Sequence, residues 1–113
     1  MVQAPKGDLL PGTLEMLILA TLAGQPLHGY AIAQRIQQES GNILHAEEGS
    51  LYPALQRLLI DGWITGKWQV SARNRKIRVY RLTASGRKQL NLERKRVARL
   101  IDGLTRVMRL SEG

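Results

Sequence analysis

Residues 47–64 constrain this chain more than any other stretch, because they carry both ends of a short helix and a two-faced pattern between them. Ser50 or a neighbour can cap the start through a side-chain oxygen. Pro53 falls in the first turn, where a missing N–H costs nothing, and Gly62 supplies the stop. Leu51, Leu55, Leu58 and Leu59 recur at helical spacing and form one stripe to bury. Ser50, Pro53, Gln56 and Arg57 lie together on the other side, flanked by Tyr52. This outer face is small, polar and singly charged. It suits a DNA major groove, since Gln and Arg can each reach a base edge with two hydrogen bonds and Ser can reach a phosphate. The same spacing also admits an ordinary amphipathic helix with a solvated face.

Two supporting helices precede it. Pro11 and Gly12 lead into Thr13, an N-cap residue followed three positions later by Met16, so no capping box forms. Leu14, Leu17, Ile18 and Leu22, widened by Leu19, give a core helix that Gly24 and Pro26 stop. His28-Gly29-Tyr30 opens a second helix over residues 29–39, with a weaker stripe of Ile32, Ala33, Ile36 and Gln37 that ends near Ser40-Gly41-Asn42. Gln34 on this helix is a candidate for DNA contact. Residues 42–48 form a polar turn of the length that joins the two helices of a helix-turn-helix. His28 has neither His45 nor a carboxylate at a ligand spacing, so it reads as structural, and no catalytic or metal-binding set is expected anywhere.

After Gly62 the period changes. Within residues 63–70, Ile64, Trp68 and Val70 alternate with Thr65, Lys67 and Gln69, which reads as a strand. Residues 77–82 form a second run rich in β-branched and aromatic residues, and between the two lies a polar turn carrying Arg73, Asn74, Arg75 and Lys76. Three helices followed by a basic hairpin make a winged helix-turn-helix, with the third helix in the major groove and the hairpin tip on phosphate or in the minor groove. The tip could instead be a loop kept soluble by its charge. With Arg78, its cations would neutralise phosphates.

Thr83-Ala84-Ser85-Gly86 begins a final helix running to about Leu110. Leu90, Val97, Leu100, Leu104 and Val107 fall on a heptad seam in which Glu93 takes one apolar place, and Ile101 and Met108 widen it. A seam of this kind on a helix projecting from a small domain is expected to pair with a twin, giving a symmetric homodimer. The alternative is that the helix folds back on its own domain.

Charge is divided unevenly along the chain. Residues 1–61 carry three basic side chains against six acidic ones, whereas residues 62–110 carry fourteen against two, and the whole has a formal net charge of +8. A polyanion is the natural partner of the second half, and without a membrane anchor that means nucleic acid before lipid. The 43% hydrophobic content is too high for a disordered chain, and no apolar run approaches a membrane span. The run over residues 16–23 is short and flanked by Asp8 and Glu15, which argues against a secretory signal. Absence of cysteine removes disulfides and thiol chemistry and accords with a cytoplasmic location.

These residues also resemble a family. Glu48-Gly49-Ser50-Leu51-Tyr52-Pro53-Ala54-Leu55-Gln56-Arg57-Leu58, Gly62-Trp63-Ile64 and Tyr80-Arg81-Leu82-Thr83-Ala84-Ser85-Gly86, preceded by His28-Gly29-Tyr30, are similar to the PadR family of bacterial transcriptional regulators. The resemblance spans about residues 14–90. It implies a winged-helix DNA-binding domain, a carboxy-terminal dimerisation helix, an inverted-repeat promoter site, and usually repression relieved by a ligand. By that similarity Tyr30, Ser50, Tyr52, Pro53 and Arg57 lie on or beside the DNA surface, and residues 73–76 form the wing. The ending resembles the short members, which have one long final helix. Multidrug-sensing short members place a drug-stacking aromatic at the position of Val97, and no aromatic follows Tyr80 here, so the resemblance supplies no such pocket.

The expected fold is therefore mainly α with a small β-hairpin: an arm over residues 1–10, a winged helix-turn-helix over 11–82 and a dimerisation helix over 83–113. The expected function is a homodimeric, sequence-specific DNA-binding regulator, most simply a repressor, that is not an enzyme and needs no cofactor. Its expected partners are double-stranded DNA, a second copy and an effector that the sequence does not identify. A basic RNA-binding module and a protein-interaction winged helix are the alternatives, and neither predicts a twofold-symmetric DNA site.

Overall fold

Leucine and isoleucine side chains from three short helices meet around Ile18, Ile32 and Leu58, each fully enclosed, and the rest of the chain closes this cluster from one side. The computed structural model describes residues 12–112; the expected arm over residues 1–10 lies outside them. In order come α1 (Thr13–Gly24), β1 (Leu27–His28), α2 (Gly29–Glu39), α3 (Glu48–Ile60), β2 (Ile64–Val70), β3 (Lys76–Leu82) and α4 (Ala84–Met108), with one 3-10 turn at Arg109–Ser111. The architecture is a winged helix with a long final helix, the fold class the sequence pattern implies.

The helix α1 starts one residue earlier in register than its hydroxyl suggests. Gly12, at φ 84°, is the N-cap and accepts from the Met16 N–H, leaving Thr13 as the first helical residue without a capping bond. The left-handed turn fixes the boundary here, and glycine adopts it freely. The helix α2 has the expected bounds, and its N-cap is His28, whose Nδ1 accepts from the Ala31 N–H at 3.3 Å. That gives His28 the structural role assigned to it. Gln37 leaves the expected stripe: it is exposed and donates to Asn42 Oδ1.

The helix α3 also begins earlier than expected, with Glu47 as N-cap and no side-chain capping bond. The Glu47 carbonyl accepts from the Ser50 and Leu51 N–H groups, so the backbone alone closes the first turn. Ser50 is thus inside the helix, and Pro53 sits in the second turn, where its missing N–H leaves the Gly49 carbonyl without an intrahelical donor. Ala54 joins Leu51, Leu55 and Leu58 in the core, while Leu59 is only half-buried. The end is as expected. Gly62, at φ 76°, donates to the Leu59 carbonyl, and Trp63 donates to that of Leu58, a Schellman closure.

A three-stranded antiparallel sheet in the order β1-β3-β2 packs beside the helices. The two-residue β1 is absent from the sequence reading, because Leu27 and His28 are too few to show a period; they pair with Tyr80 and Val79. In the hairpin Ile64 faces Leu82, Gly66 faces Tyr80 and Trp68 faces Arg78. Only the near end of this face is buried, at Ile64 and Tyr80, because the strands run on past the core. Trp68 and Val70, on the same face as Ile64, are 67% and 66% exposed for that reason.

The root of α4 is tied to the end of α3. Thr83 Oγ1 and Ser85 Oγ both donate to the Gly62 carbonyl, the Thr83 N–H donates to the Trp63 carbonyl, and Thr83 Oγ1 caps the helix by accepting from the Gly86 N–H. From there α4 packs on α1 through Leu90 and then leaves the domain. Its apolar stripe is consequently divided. Leu90 is enclosed in the chain's own core and unavailable to a partner, which corrects its placement in a dimer seam; Val97 is half-buried; Leu100, Ile101, Leu104, Val107 and Met108 are exposed. Among the described residues no helix is long and apolar enough to cross a membrane.

Candidate nucleic-acid interface

The outer surface of α3 is built by what the core leaves over. With Leu51, Ala54, Leu55 and Leu58 turned inward, Gly49, Tyr52, Pro53, Gln56, Arg57 and Ile60 are exposed and Ser50 is half-buried. Tyr52 is held by α2: a β-carbon on Gly29 would stand 3.2 Å from its hydroxyl, so the absent side chain at Gly29 is what lets the ring lie there. Tyr30, one residue on, is exposed with its ring parallel to that of His28, and Gln34 follows one turn later along α2. This accounts for the Gly in His28-Gly29-Tyr30. It sets two tyrosines side by side on one surface.

Between α3 and the hairpin lies an open cleft of about 500 Å³, with Tyr30, Tyr52 and Gln56 on one wall and Trp68, Lys76 and Arg78 on the other. The sequence-predicted residues Tyr30, Tyr52, Gln56, Lys76 and Arg78 are therefore brought together. Arg78, expected to supply charge to phosphate, is half-buried. Its guanidinium lies 5.8 Å from the Trp68 ring centroid and 5.7 Å from that of Tyr80, and its Nε is buried without a hydrogen-bond partner. Gly66 on the facing strand makes the room, since a β-carbon there would stand 2.7 Å from that Nε. The cation–π contacts tie Arg78 to its own hairpin while leaving positive charge at the cleft.

Tyr80 forms the floor. Burial pushes its phenol above the ordinary value of 10.0, outweighing the Arg78 guanidinium that pulls it down.

At the hairpin tip the backbone folds tightly, with the Ser71 N–H donating to the Arg75 carbonyl at 2.8 Å and the Arg75 N–H donating to Ser71 Oγ at 3.2 Å. Asn74 takes the left-handed conformation, φ 59°, so its presence answers to the turn as much as to any contact. Arg73, Arg75 and Lys76 are exposed, and among the described residues none of them is in an ion pair. Three uncompensated cations on one loop are what a phosphate backbone would meet.

The remaining predicted residues sit apart from the cleft. Ser50, Pro53 and Arg57 lie across the crest of α3, and Arg57 is held by Glu15 of α1, whose Oε1 accepts from Nε at 2.7 Å and forms an ion pair with Nη2. Gln34 lines a neighbouring groove with Tyr30, Gln37, His45, Glu47 and Glu48. Sequence reasoning missed Trp68 as a surface residue, because alternation reports a face and not how far the core extends. It also missed Glu15, for which no local signal exists.

Residues 18–92 match the model of the Transcriptional regulator PadR-like family. The chain is 42% identical over 86 residues to an uncharacterized 37.1 kDa protein in transposon TN4556 of Streptomyces fradiae, covering 76% of this chain and 23% of that protein. It is 31% identical over 78 residues to the negative transcriptional regulator PadR of Bacillus subtilis, covering 69% of this chain and 43% of that one. The chain thus spans less than half the length of either relative. The crystal structure of Bacillus subtilis PadR in complex with operator DNA superposes with a TM-score of 0.65 at 30% identity, covering 71% of this chain and 45% of that chain.

Proposed function

This chain belongs to the PadR-like family of transcriptional regulators, and on that premise we propose that it is a homodimeric repressor that binds an inverted-repeat promoter operator in the cytoplasm. The observation carrying this reading is the cleft between α3 and the hairpin, lined by Tyr52 and Gln56 of α3 on one side and by Lys76 and Arg78 on the other, with the exposed, unpaired Arg73 and Arg75 farther out on the same hairpin. In this arrangement α3 enters the major groove. Gln56 and Arg57 read base edges, Ser50 and Tyr52 hold the helix against the backbone, and Arg73, Arg75 and Lys76 contact phosphate. Bacillus subtilis PadR, which shares the winged helix, has been crystallised on operator DNA, which supports the same mode here.

The exposed half of the α4 stripe supports the dimer. Leu100, Ile101, Leu104, Val107 and Met108 form an apolar row along a helix that the domain does not cover, and a second copy buries such a row by symmetry. Two reading helices related by a twofold axis then require two half-sites about one DNA turn apart. Selection from a random duplex pool tests this. A palindromic consensus with that spacing is expected; an enriched pool with no symmetry, or no enrichment, contradicts it.

A further inference from the structure

We infer that Glu15 is the positioning residue of the reading head: it clamps one edge of the Arg57 guanidinium and presents the other edge outward for guanine. The assignment rests on the DNA-binding role proposed above and adds to it a residue from α1, a helix that otherwise serves the core through Leu14, Ile18, Leu19 and Leu22.

The geometry is specific. Glu15 and Arg57 are 42 residues apart in the chain, and a single oxygen, Glu15 Oε1, accepts from Nε of Arg57 and forms an ion pair with its Nη2. A guanidinium is a rigid planar fork with five N–H donors. Glu15 takes the Nε–Nη2 edge, and the end edge formed by Nη1 and the outer N–H of Nη2 stays available, on a side chain that is 57% exposed. That end edge is the one that matches O6 and N7 of guanine with two parallel hydrogen bonds.

A surface ion pair of this exposure adds little to fold stability, so stability does not explain it. Its effect falls on binding. An unrestrained arginine samples many rotamers and loses them on contact, whereas one already clamped binds with less ordering. Glu15 also places a negative charge beside the DNA surface, which weakens sequence-independent attraction to phosphate. Positioning strengthens the cognate complex and the charge weakens the random one, so both effects widen the ratio between them.

Glu15→Gln separates the possibilities. Binding of the full chain is measured by anisotropy on its selected duplex, on that duplex with 7-deazaguanine in place of the contacted guanine, and on random DNA. For the wild-type chain the 7-deazaguanine duplex should bind less tightly than the selected one. For E15Q the selected duplex should weaken by about tenfold, random DNA should bind no more weakly than before, and most of the 7-deazaguanine sensitivity should disappear. Glu15→Asp keeps the charge but shortens the reach, and should lose specificity in the same way, which guards against a folding defect in one variant. Tightening of selected and random DNA alike by E15Q would make Glu15 a surface charge only and overturn the assignment. A wild-type preference that E15Q retains in full would overturn it as well while leaving the regulator reading intact; no sequence preference in the wild type would overturn both.

Discussion

The carbonyl oxygen of Trp63 occupies the space that a β-carbon on Gly86 would need, so the first turn of α4 can lie against the end of α3 only because residue 86 has no side chain. The hydroxyls of Thr83 and Ser85, both donating to the Gly62 carbonyl, complete the same junction. The two distant motifs Gly62-Trp63 and Thr83-Ala84-Ser85-Gly86 are therefore one structural device, which fixes the direction in which the final helix leaves the domain.

Gly86→Ala should destabilise the fold by about 3 kcal/mol, the upper end of the usual cost of overpacking, because the atom in the way is backbone and cannot swing aside. Chemical denaturation of the variant beside Gly103→Ala checks this. A β-carbon at Gly103 meets nothing within 4 Å, and alanine is the better helix former, so that change should be neutral or stabilising.

The divided stripe of α4 gives opposite outcomes at two leucines. Leu90 is 1% exposed in the core and Leu104 is 55% exposed beyond it. Leu90→Ala should cost about 2 to 5 kcal/mol of stability without changing the oligomer that survives. Leu104→Lys should leave each domain folded and abolish the dimer. Light scattering after size-exclusion chromatography, with a thermal melt for each variant, separates the two.

Wing and reading helix should differ in how they depend on sequence. Arg75→Ala is expected to weaken cognate and random DNA alike and to reduce the salt slope by about one, whereas Arg57→Ala should lose about 1 to 3 kcal/mol on the cognate site alone. Titrations at several salt concentrations provide both numbers. Equal losses on both DNAs for Arg57→Ala would remove it from the base-reading set.

Burial holds the Tyr80 phenol above its ordinary value of 10.0, and the sign of the pH effect follows. Below pH 10 the folded and unfolded chains both keep the proton, and this group contributes no slope. Above it the unfolded chain releases the proton first, so stability falls as pH rises until the folded state titrates too. Urea midpoints from about pH 8 to 11 should decline more steeply for the wild type than for Tyr80→Phe, which removes the ionisable group.

Features set by local chemistry were legible before the fold was known. Gly62 closes α3, His28 opens α2, and alternation marks the two wing strands, because each depends on residues within a turn of one another. What escaped depends on distance in the chain. The start of α3 is set by the Glu47 carbonyl and not by the Ser50 hydroxyl, which moves Pro53 into the second turn. Arg78 was counted as a free cation because nothing in its neighbourhood announces that Gly66 on the other strand leaves it room between two rings. The α4 heptad, with Glu93 in one apolar place, starts at Leu90, and only the position of α1 decides that the first part of the stripe is closed within the chain.

The central claim is that two copies of this chain grip one symmetric segment of DNA through α3 and the wing. Binding of the purified protein to DNA from its own upstream region, against random duplex of equal length with stoichiometry read out, tests it most directly. Two chains per site and a preference of about 10³-fold or more are predicted. Equal, salt-sensitive binding to both duplexes, or one chain per site, would contradict it.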